Sequence, residues 1–215
     1  VVPRYFCNDL LQRVPPGSLY RESWPSLFVG PRGSRCSLHI DTFGSHFWML
    51  LFEGEKEWTL FPAEHTPLLA PNYRHSHDAT FAHDIHASAG AHSDDNPLLR
   101  HADCYREVLR PGECLFVPAG CPHAVRNLSH TLAISANFVD ASNISTVRDE
   151  LAVAALRNPE AAALLGHLSA PGFDDTMDFE CGDLPWGKFK RKAVAQASER
   201  ADGSCADVHT KRRGD

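Results

Sequence analysis

The sequence predicts a mainly β fold with helical segments on both flanks. Between residues 26 and 139, short apolar or alternating runs recur, and turn signals containing glycine or proline separate many of them. After residue 140 the apolar residues change to a helical spacing. Alternation over a few residues indicates half-buried strands, and many short strands joined by turns are typical of a β-barrel or a two-sheet jelly roll.

Residues 1–25 are predicted to form an N-terminal flanking segment. The stretch YFCNDLLQR at 5–13 suits a short helix. Pro15-Pro16-Gly17 would end it, because proline lacks the N–H that a continuing helix needs.

Residues 26–140 form the predicted core domain, interrupted by a long insertion at 62–103. The insertion is rich in His, Asp, Ala and Pro and has no clear period. Loops this long in a compact domain are usually functional or disordered, so we expect it to overhang the functional site and help select a substrate. The eight predicted strands cover residues 26–30, 35–40, 46–52, 55–61, 104–109, 113–118, 122–128 and 131–139.

Residues 141–194 are predicted to be a C-terminal helical segment. Ser142 or Asn143 could cap a helix that runs to about Arg157, and Pro159 could open a second helix through His167. Residues 195–215 are polar without an apolar pattern and are expected to be a disordered tail.

Composition limits the classes of partner. The net charge of −6 argues against nucleic acid as the main partner, since nucleic-acid binders are normally basic. No apolar stretch reaches the roughly 18 to 20 residues that a membrane span needs, so no membrane partner is expected. Seven scattered cysteines without a CxxC pair indicate reduced thiols and a nuclear or cytoplasmic location.

The residues with the strongest chemical implication are His39, Asp41 and His123. His39 and Asp41 are two positions apart on a predicted strand, so their side chains point to the same side. His123 opens a later predicted strand, after a tight turn. Two histidines and one carboxylate on one face of an octahedron leave three positions open, which suits non-haem Fe(II) oxygenases. A histidine and an aspartate separated by one residue are a weak signal by themselves, because strand histidines are often ordinary core residues.

Two further patterns indicate a polar interior. Lys56 shares a strand face with Trp58 and Leu60, so it points inward and would want a carboxylate partner. An exposed edge-strand lysine is the alternative. On the last strand one face is apolar and the other carries small residues, which either line a polar pocket or face solvent. The small residues are Thr131, Ala133, Ser135 and Asn137.

Two segments carry a family resemblance, LHIDTFGSHFWMLLFEGEKEWTLFP at 38–62 and PGECLFVPAGCPHAVRNLSHTLAISANF at 111–138. They resemble the two halves of a Jumonji-C domain, most closely the phosphatidylserine-receptor-like branch of lysyl hydroxylases and proposed arginine demethylases. The resemblance covers about residues 25–145. It implies a double-stranded β-helix of the jelly-roll or cupin type, and an oxygenase that uses Fe(II), 2-oxoglutarate and O₂.

The resemblance also implies roles for individual residues. His39, Asp41 and His123 would bind Fe(II), and Lys56 would bind the distal carboxylate of 2-oxoglutarate. Ser135 stands where that branch carries a threonine, and Asn137 would support the cosubstrate. Two departures affect the pocket and its mouth. Met49 follows Trp48 where relatives often carry asparagine, and Cys121-Pro122 precede His123 where aromatic residues are common.

The expected activity is hydroxylation of a protein side chain, lysine first, with release of succinate and CO₂. The alternatives are N-methyl lysine or arginine demethylation by the same chemistry, oxidation of a small molecule or RNA, and a non-catalytic cupin-type binding module. The resemblance also allows a homodimer through the C-terminal helices. KFKRK at 188–192 could bind phosphate or direct nuclear import, although a solvated charge run explains it better. Histidines between 75 and 101 could form a second metal site, but loop histidines are more often unliganded.

Overall fold

The computed structural model describes residues 4–6, 9–21, 25–73, 78–82, 84–86 and 96–173. Eight strands and two α-helices follow one another along the described chain. The strands are β1 Ser26–Gly30, β2 Arg35–His39, β3 His46–Glu53, β4 Lys56–Leu60, β5 Tyr105–Leu109, β6 Cys114–Val117, β7 His123–Asn127 and β8 Thr131–Phe138; the helices are α1 Ile144–Ala154 and α2 Pro159–Leu168. Every predicted strand is present, and no end differs by more than one residue.

The strands form two four-stranded antiparallel sheets. The first sheet has the order β1-β8-β3-β6, and the second has the order β2-β7-β4-β5. Each sheet therefore combines strands from both halves of the sequence, as a jelly roll does. The expected mainly β, double-stranded β-helix class is confirmed.

The core lies on the inner faces of the two sheets and on parts of their outer faces. Met49, Leu51, Trp58 and Val117 belong to one buried cluster that joins the sheets. Side chains alternate along a strand, so the neighbours of these residues face outward. Outward-facing Trp48 is nevertheless fully buried, because Phe6 stacks on it with ring centroids 5.0 Å apart.

The insertion contributes to the outer face of the second sheet. Leu69 and Ile85 come from the insertion and pack in one buried cluster with Leu38, Phe61 and Ala124. Residues 63–69 form a 3-10 helix, and Asn72 and Thr80 make an isolated antiparallel bridge. Whether this insertion also overhangs the functional site stays a prediction, since 74–77, 83 and 87–95 lie outside the described residues.

The N-terminal flanking segment differs from the single short helix expected over 5–13. It forms two 3-10 helices, Arg4–Phe6 and Leu10–Arg13. Asp9 stands between them and is buried, and its carboxylate accepts hydrogen bonds from the N–H groups of Leu11 at 3.0 Å and Val139 at 3.1 Å. The Leu10 N–H donates to the Val139 carbonyl at 2.8 Å. These bonds to the end of β8 take the place of an α-helical turn.

The buried carboxyl of Asp9 predicts a pH-dependent stability. Burial raises the pKa of Asp9 from 3.8 to about 6, against the opposing effect of its backbone hydrogen bonds. The folded state then binds the proton more tightly than the unfolded chain. The stabilising contribution of Asp9 to the free energy of unfolding is therefore present near pH 4 and is lost as the pH rises through about 6. Urea denaturation between these values should show the free energy of unfolding falling with pH.

The Asp9→Asn variant should lose this component of the pH dependence. Asp149→Asn, on the exposed side of α1, is the matched control and should keep the wild-type slope. An Asp9→Asn slope equal to that of the wild type would contradict the prediction.

The two C-terminal helices begin where the sequence predicts. Asn158 caps α2 by accepting hydrogen bonds from the N–H groups of Glu160 and Ala161, and Pro159 occupies the first turn. Asn143 stands at the N-cap position of α1 but does not cap it. Its side-chain amide instead donates to the carbonyls of Gly44 at 3.0 Å and Phe138 at 3.3 Å. The α1 helix ends at Ala154 rather than near Arg157.

Several expectations fall outside the described residues: His75, His77, His83 and His92, the basic run at 188–192, the tail at 195–215 and the helical segment after 173. The division of the chain at residues 25, 140 and 194 stays a prediction. In the described ranges, no helix has both the length and the apolarity to cross a membrane.

Candidate metal centre and cosubstrate pocket

The pairing of strands β2 and β7 places the two histidines side by side. His39 is the last residue of β2 and His123 the first of β7, and the two are paired in the antiparallel register. Strand β2 ends at His39, so Asp41 lies just beyond the strand rather than within it. Its backbone is still extended, with φ −65° and ψ 144°, and it precedes the 3-10 helix Thr42–Gly44. The side chains of His39 and Asp41 consequently still converge.

The three predicted ligands come together at one point. One ligand atom from each of His39, Asp41 and His123 lies within 4.8 Å of the others. The two carboxylate oxygens divide between the rings: Oδ1 lies 3.9 Å from His39 Nε2, and Oδ2 lies 3.9 Å from His123 Nε2. These separations exceed hydrogen-bonding distance, so the three groups face a common point without bonding to one another.

A buried oxygen at this centre lacks a partner. Asp41 Oδ2 is buried and makes no hydrogen bond. A carboxylate oxygen in that condition is costly, and a cation at the common point would satisfy it. Throughout the described part of the chain, no other group of three or more potential ligands comes together in this way.

Backbone carbonyls set the orientation of both imidazole rings. His39 Nδ1 lies 2.8 Å from the Ser37 carbonyl, and His123 Nδ1 lies 3.0 Å from the Cys121 carbonyl. A carbonyl only accepts, so each Nδ1 carries a proton and Nε2 is the ring nitrogen directed at the centre. Hydrogen bonds of this kind hold metal-binding histidines in the productive tautomer.

The electrostatics of the two histidines differ. Burial lowers the pKa of His123 to about 4, and His39 acts in the same direction, so His123 is neutral at pH 7. Burial also acts to lower the pKa of His39, but hydrogen bonds to Cys36 and Ser37 and the charge of Asp41 raise it to about 9. A divalent ion must therefore displace a proton from His39, and binding releases that proton.

Lys56 lies in the interior, as its strand pattern predicts. Its side chain is buried, and Nζ donates to the Asn127 side-chain oxygen at 2.8 Å. Burial lowers the pKa of Lys56. In the residues that the structure describes, Lys56 forms no ion pair, which leaves this nitrogen available to the carboxylate of a ligand.

The small-residue face of β8 also faces inward. Thr131, Ala133 and Ser135 are buried, and Asn137 is half-buried with its amide donating to Ser45 Oγ at 2.8 Å. Ser135 pairs across the sheet with Met49, the residue that departs from the family pattern. A thioether thus occupies the position where relatives often place an amide.

Two contributors to the site were not identified from the sequence. Asn127 shares a face of β7 with His123, and only that alternation could have indicated it. The sequence predicts that Trp58 faces inward, but it does not predict the contact of Trp58 with His123. The Trp58 ring stacks against His123 with centroids 5.8 Å apart. The Phe61 N–H donates to the Pro122 carbonyl at 2.9 Å, and this bond fixes the backbone of Cys121-Pro122 immediately before His123.

Comparison with known proteins agrees with this architecture. Residues 26–138 match the family described as "JmjC domain, hydroxylase". The chain is 33% identical over 147 residues to lysine-specific demethylase JMJ21 of Arabidopsis thaliana, covering 68% of this chain and 15% of that protein. It is 31% identical over 144 residues to the mouse (Mus musculus) 2-oxoglutarate and iron-dependent oxygenase JMJD4, covering 66% and 32%.

A third relative is arginine-specific demethylase JMJ20 of Arabidopsis thaliana, 30% identical over 125 residues, covering 58% of this chain and 26% of that protein. The chain thus spans a third or less of the length of these three relatives. The family match extends over more than half of the chain, from β1 to the end of β8, and includes every residue of the candidate centre. The chain belongs to the JmjC domain family.

Proposed function

We propose that the protein is an Fe(II)- and 2-oxoglutarate-dependent dioxygenase that hydroxylates a protein side chain, with lysine as the first candidate. One observation carries the proposal: His39, Asp41 and His123 direct their ligand atoms to one point, and Asp41 Oδ2 is buried there without a hydrogen bond. The names of the relatives, two demethylases and an iron-dependent oxygenase, support the same chemistry.

The residues present fit both the metal and the cosubstrate. Two imidazoles and one carboxylate are a ligand set that suits Fe(II) and leaves positions open. Lys56 Nζ and the Ser135 hydroxyl would hold the distal carboxylate of 2-oxoglutarate, with Asn137 as a supporting polar group. Bound Fe(II) and 2-oxoglutarate supply O₂ activation, and the overall reaction converts 2-oxoglutarate, O₂ and a C–H bond into succinate, CO₂ and a C–OH group.

The chain itself supplies orientation and exclusion of water. The Ser37 and Cys121 carbonyls keep both Nε2 atoms directed at the metal position. Trp58 and Phe47 flank the His123 ring, and His123 is only 2% exposed. The low exposure of His123 limits the access of water to its side of the metal position, and so limits competing reactions with water.

Demethylation of N-methyl lysine or arginine is the second candidate, because relatives carry lysine-specific and arginine-specific demethylase names. Hydroxylation of an N-methyl carbon gives a product that releases the methyl group as formaldehyde, so the same centre serves both outcomes. A binding module without activity is disfavoured by the complete ligand set. We also propose a nuclear or cytoplasmic location, which Cys36, Cys114 and Cys121 support because they form no disulfide, and a homodimer through the C-terminal helices.

Turnover of the cosubstrate is the direct test. Protein loaded anaerobically with Fe(II) is given 2-oxoglutarate and air, with peptides carrying lysine, arginine or their methylated forms. Succinate formation with a peptide mass gain of one oxygen atom supports hydroxylation, whereas loss of a methyl group supports demethylation. His39→Ala should be inactive, and His130→Ala, in an exposed turn, should match the wild type. A wild-type protein that neither binds nor converts 2-oxoglutarate would overturn the proposal.

A further inference from the structure

The buried amide of Asn127 contacts the predicted cosubstrate-binding lysine directly. Asn127 ends β7 and stands opposite Lys56 in the β4–β7 register. Its side chain is buried, and Oδ1 accepts the Lys56 Nζ hydrogen bond at 2.8 Å. This bond is the only polar contact recorded for Lys56 within the described ranges, so the position of Nζ depends on it.

Hydrogen bonds on the other side of the amide fix which atom faces Lys56. Asn127 Nδ2 donates to Ser34 Oγ at 2.8 Å and to the Pro31 carbonyl at 3.4 Å. Ser34 Oγ in turn donates to the Pro31 carbonyl at 2.8 Å. A flipped amide would place NH₂ against the lysine ammonium and an oxygen against the Pro31 carbonyl. Both contacts would be repulsive, so Oδ1 faces Lys56.

The turn between β1 and β2 holds the backbone of Asn127 as well. The Asn127 N–H donates to the Ser34 carbonyl at 2.9 Å, and the Gly33 N–H donates to the Asn127 carbonyl at 2.8 Å. Gly30 lies so close that a Cβ there would come within 2.2 Å of Asn127 Nδ2. The close approach of β1 to this amide therefore requires glycine at position 30.

We infer that Asn127 is a positioning residue that holds Lys56 for the distal carboxylate of 2-oxoglutarate without compensating its charge. The inference rests on the proposed function, in which Lys56 binds that carboxylate. An ammonium has three donors, and Asn127 uses one. A neutral amide orients the nitrogen and leaves its full positive charge for the ligand, whereas a carboxylate at the same position would compete with the ligand for it.

The Asn127→Asp variant tests this inference, since it keeps the shape of the side chain and places a negative charge beside Lys56. It also replaces the Nδ2 donor to Ser34 and Pro31 with an oxygen, so Ser34→Ala serves as the comparison for a weakened anchor. The KM for 2-oxoglutarate should rise by about 10- to 100-fold, the range expected when a charge-assisted contact is lost, while kcat changes little. Calorimetry should show the same loss of 2-oxoglutarate affinity and an unchanged affinity for Fe(II). The increase in Tm on adding 2-oxoglutarate should shrink accordingly.

Ser34→Ala is the second variant, and it keeps the test open if Asn127→Asp does not fold. It removes one anchor of the amide at a half-buried turn position, and the KM should rise by about 3-fold, in line with the loss of one neutral hydrogen bond. Wild-type 2-oxoglutarate affinity in a folded Asn127→Asp protein, or in Ser34→Ala when Asn127→Asp does not fold, overturns the inference alone. A wild-type protein that binds no 2-oxoglutarate overturns the proposed function instead.

Discussion

Replacing Asp41 with alanine is expected to abolish Fe(II) binding and 2-oxoglutarate turnover while leaving the fold intact. Asp41 supplies the single anionic ligand, and without it two imidazoles remain. Loss of a residue that hydrogen-bonds to a metal ligand already lowers metal affinity by about 10- to 100-fold. Loss of the ligand Asp41 itself should therefore lower Fe(II) affinity by more than about 100-fold. Because Asp41 Oδ2 makes no hydrogen bond, the metal-free variant should be at least as stable as the wild type.

Calorimetric titration with Fe(II) under anaerobic conditions measures the first effect, and melting curves with and without metal measure the second. Wild-type protein should gain Tm on adding Fe(II), and Asp41→Ala should not. Asp149→Ala, on the exposed side of α1, is the control and should behave as the wild type. Fe(II) affinity in Asp41→Ala equal to that of the wild type would refute the assignment of this ligand.

The second large effect is expected for Lys56→Met, which keeps the length and apolar stem of the side chain and removes its charge. Affinity for 2-oxoglutarate should fall by about 10- to 100-fold, because a charge-assisted bond to a carboxylate contributes roughly 1.5–3 kcal/mol. Fe(II) binding should be unaffected. The ligand-free variant should not lose stability, since removal of a buried ammonium offsets the roughly 1–3 kcal/mol cost of leaving Asn127 Oδ1 unpaired.

Binding of 2-oxoglutarate to Mn(II)-loaded protein separates affinity from turnover. Arg157→Met, an exposed cation after α1, is the matched control for loss of one positive charge. If Lys56→Met binds 2-oxoglutarate as tightly as the control, the anion must be held elsewhere and the role given to Lys56 is wrong.

The strands could be predicted from the sequence, because the information that specifies them is local. A continuous apolar run marks β3, alternation of apolar and polar residues marks β4 and β8, and Gly and Pro mark many of the turns between strands, so predicted and observed ends agree within one residue. The convergence of His39 and Asp41 also follows from local geometry, since two residues separated by one in extended chain share a side. His123 was also a candidate from the sequence, but nothing local links it to His39, and only the pairing of β2 with β7 places the two side by side.

The polar contacts that join distant segments could not be predicted from the sequence and depend on the three-dimensional fold. Asp9 bonds to Val139 across 130 positions, Asn143 to Gly44 across 99, and Lys56 to Asn127 across 71. In each case a side chain has several partners of similar energy, and the choice depends on which backbone or side chain the fold brings within reach. Asn143 was expected to cap a helix and instead links the start of α1 to the end of β8 and the loop after β2. Pairing of β4 with β7 within the second sheet likewise made Asn127, an ordinary strand residue in the sequence, the neighbour of Lys56.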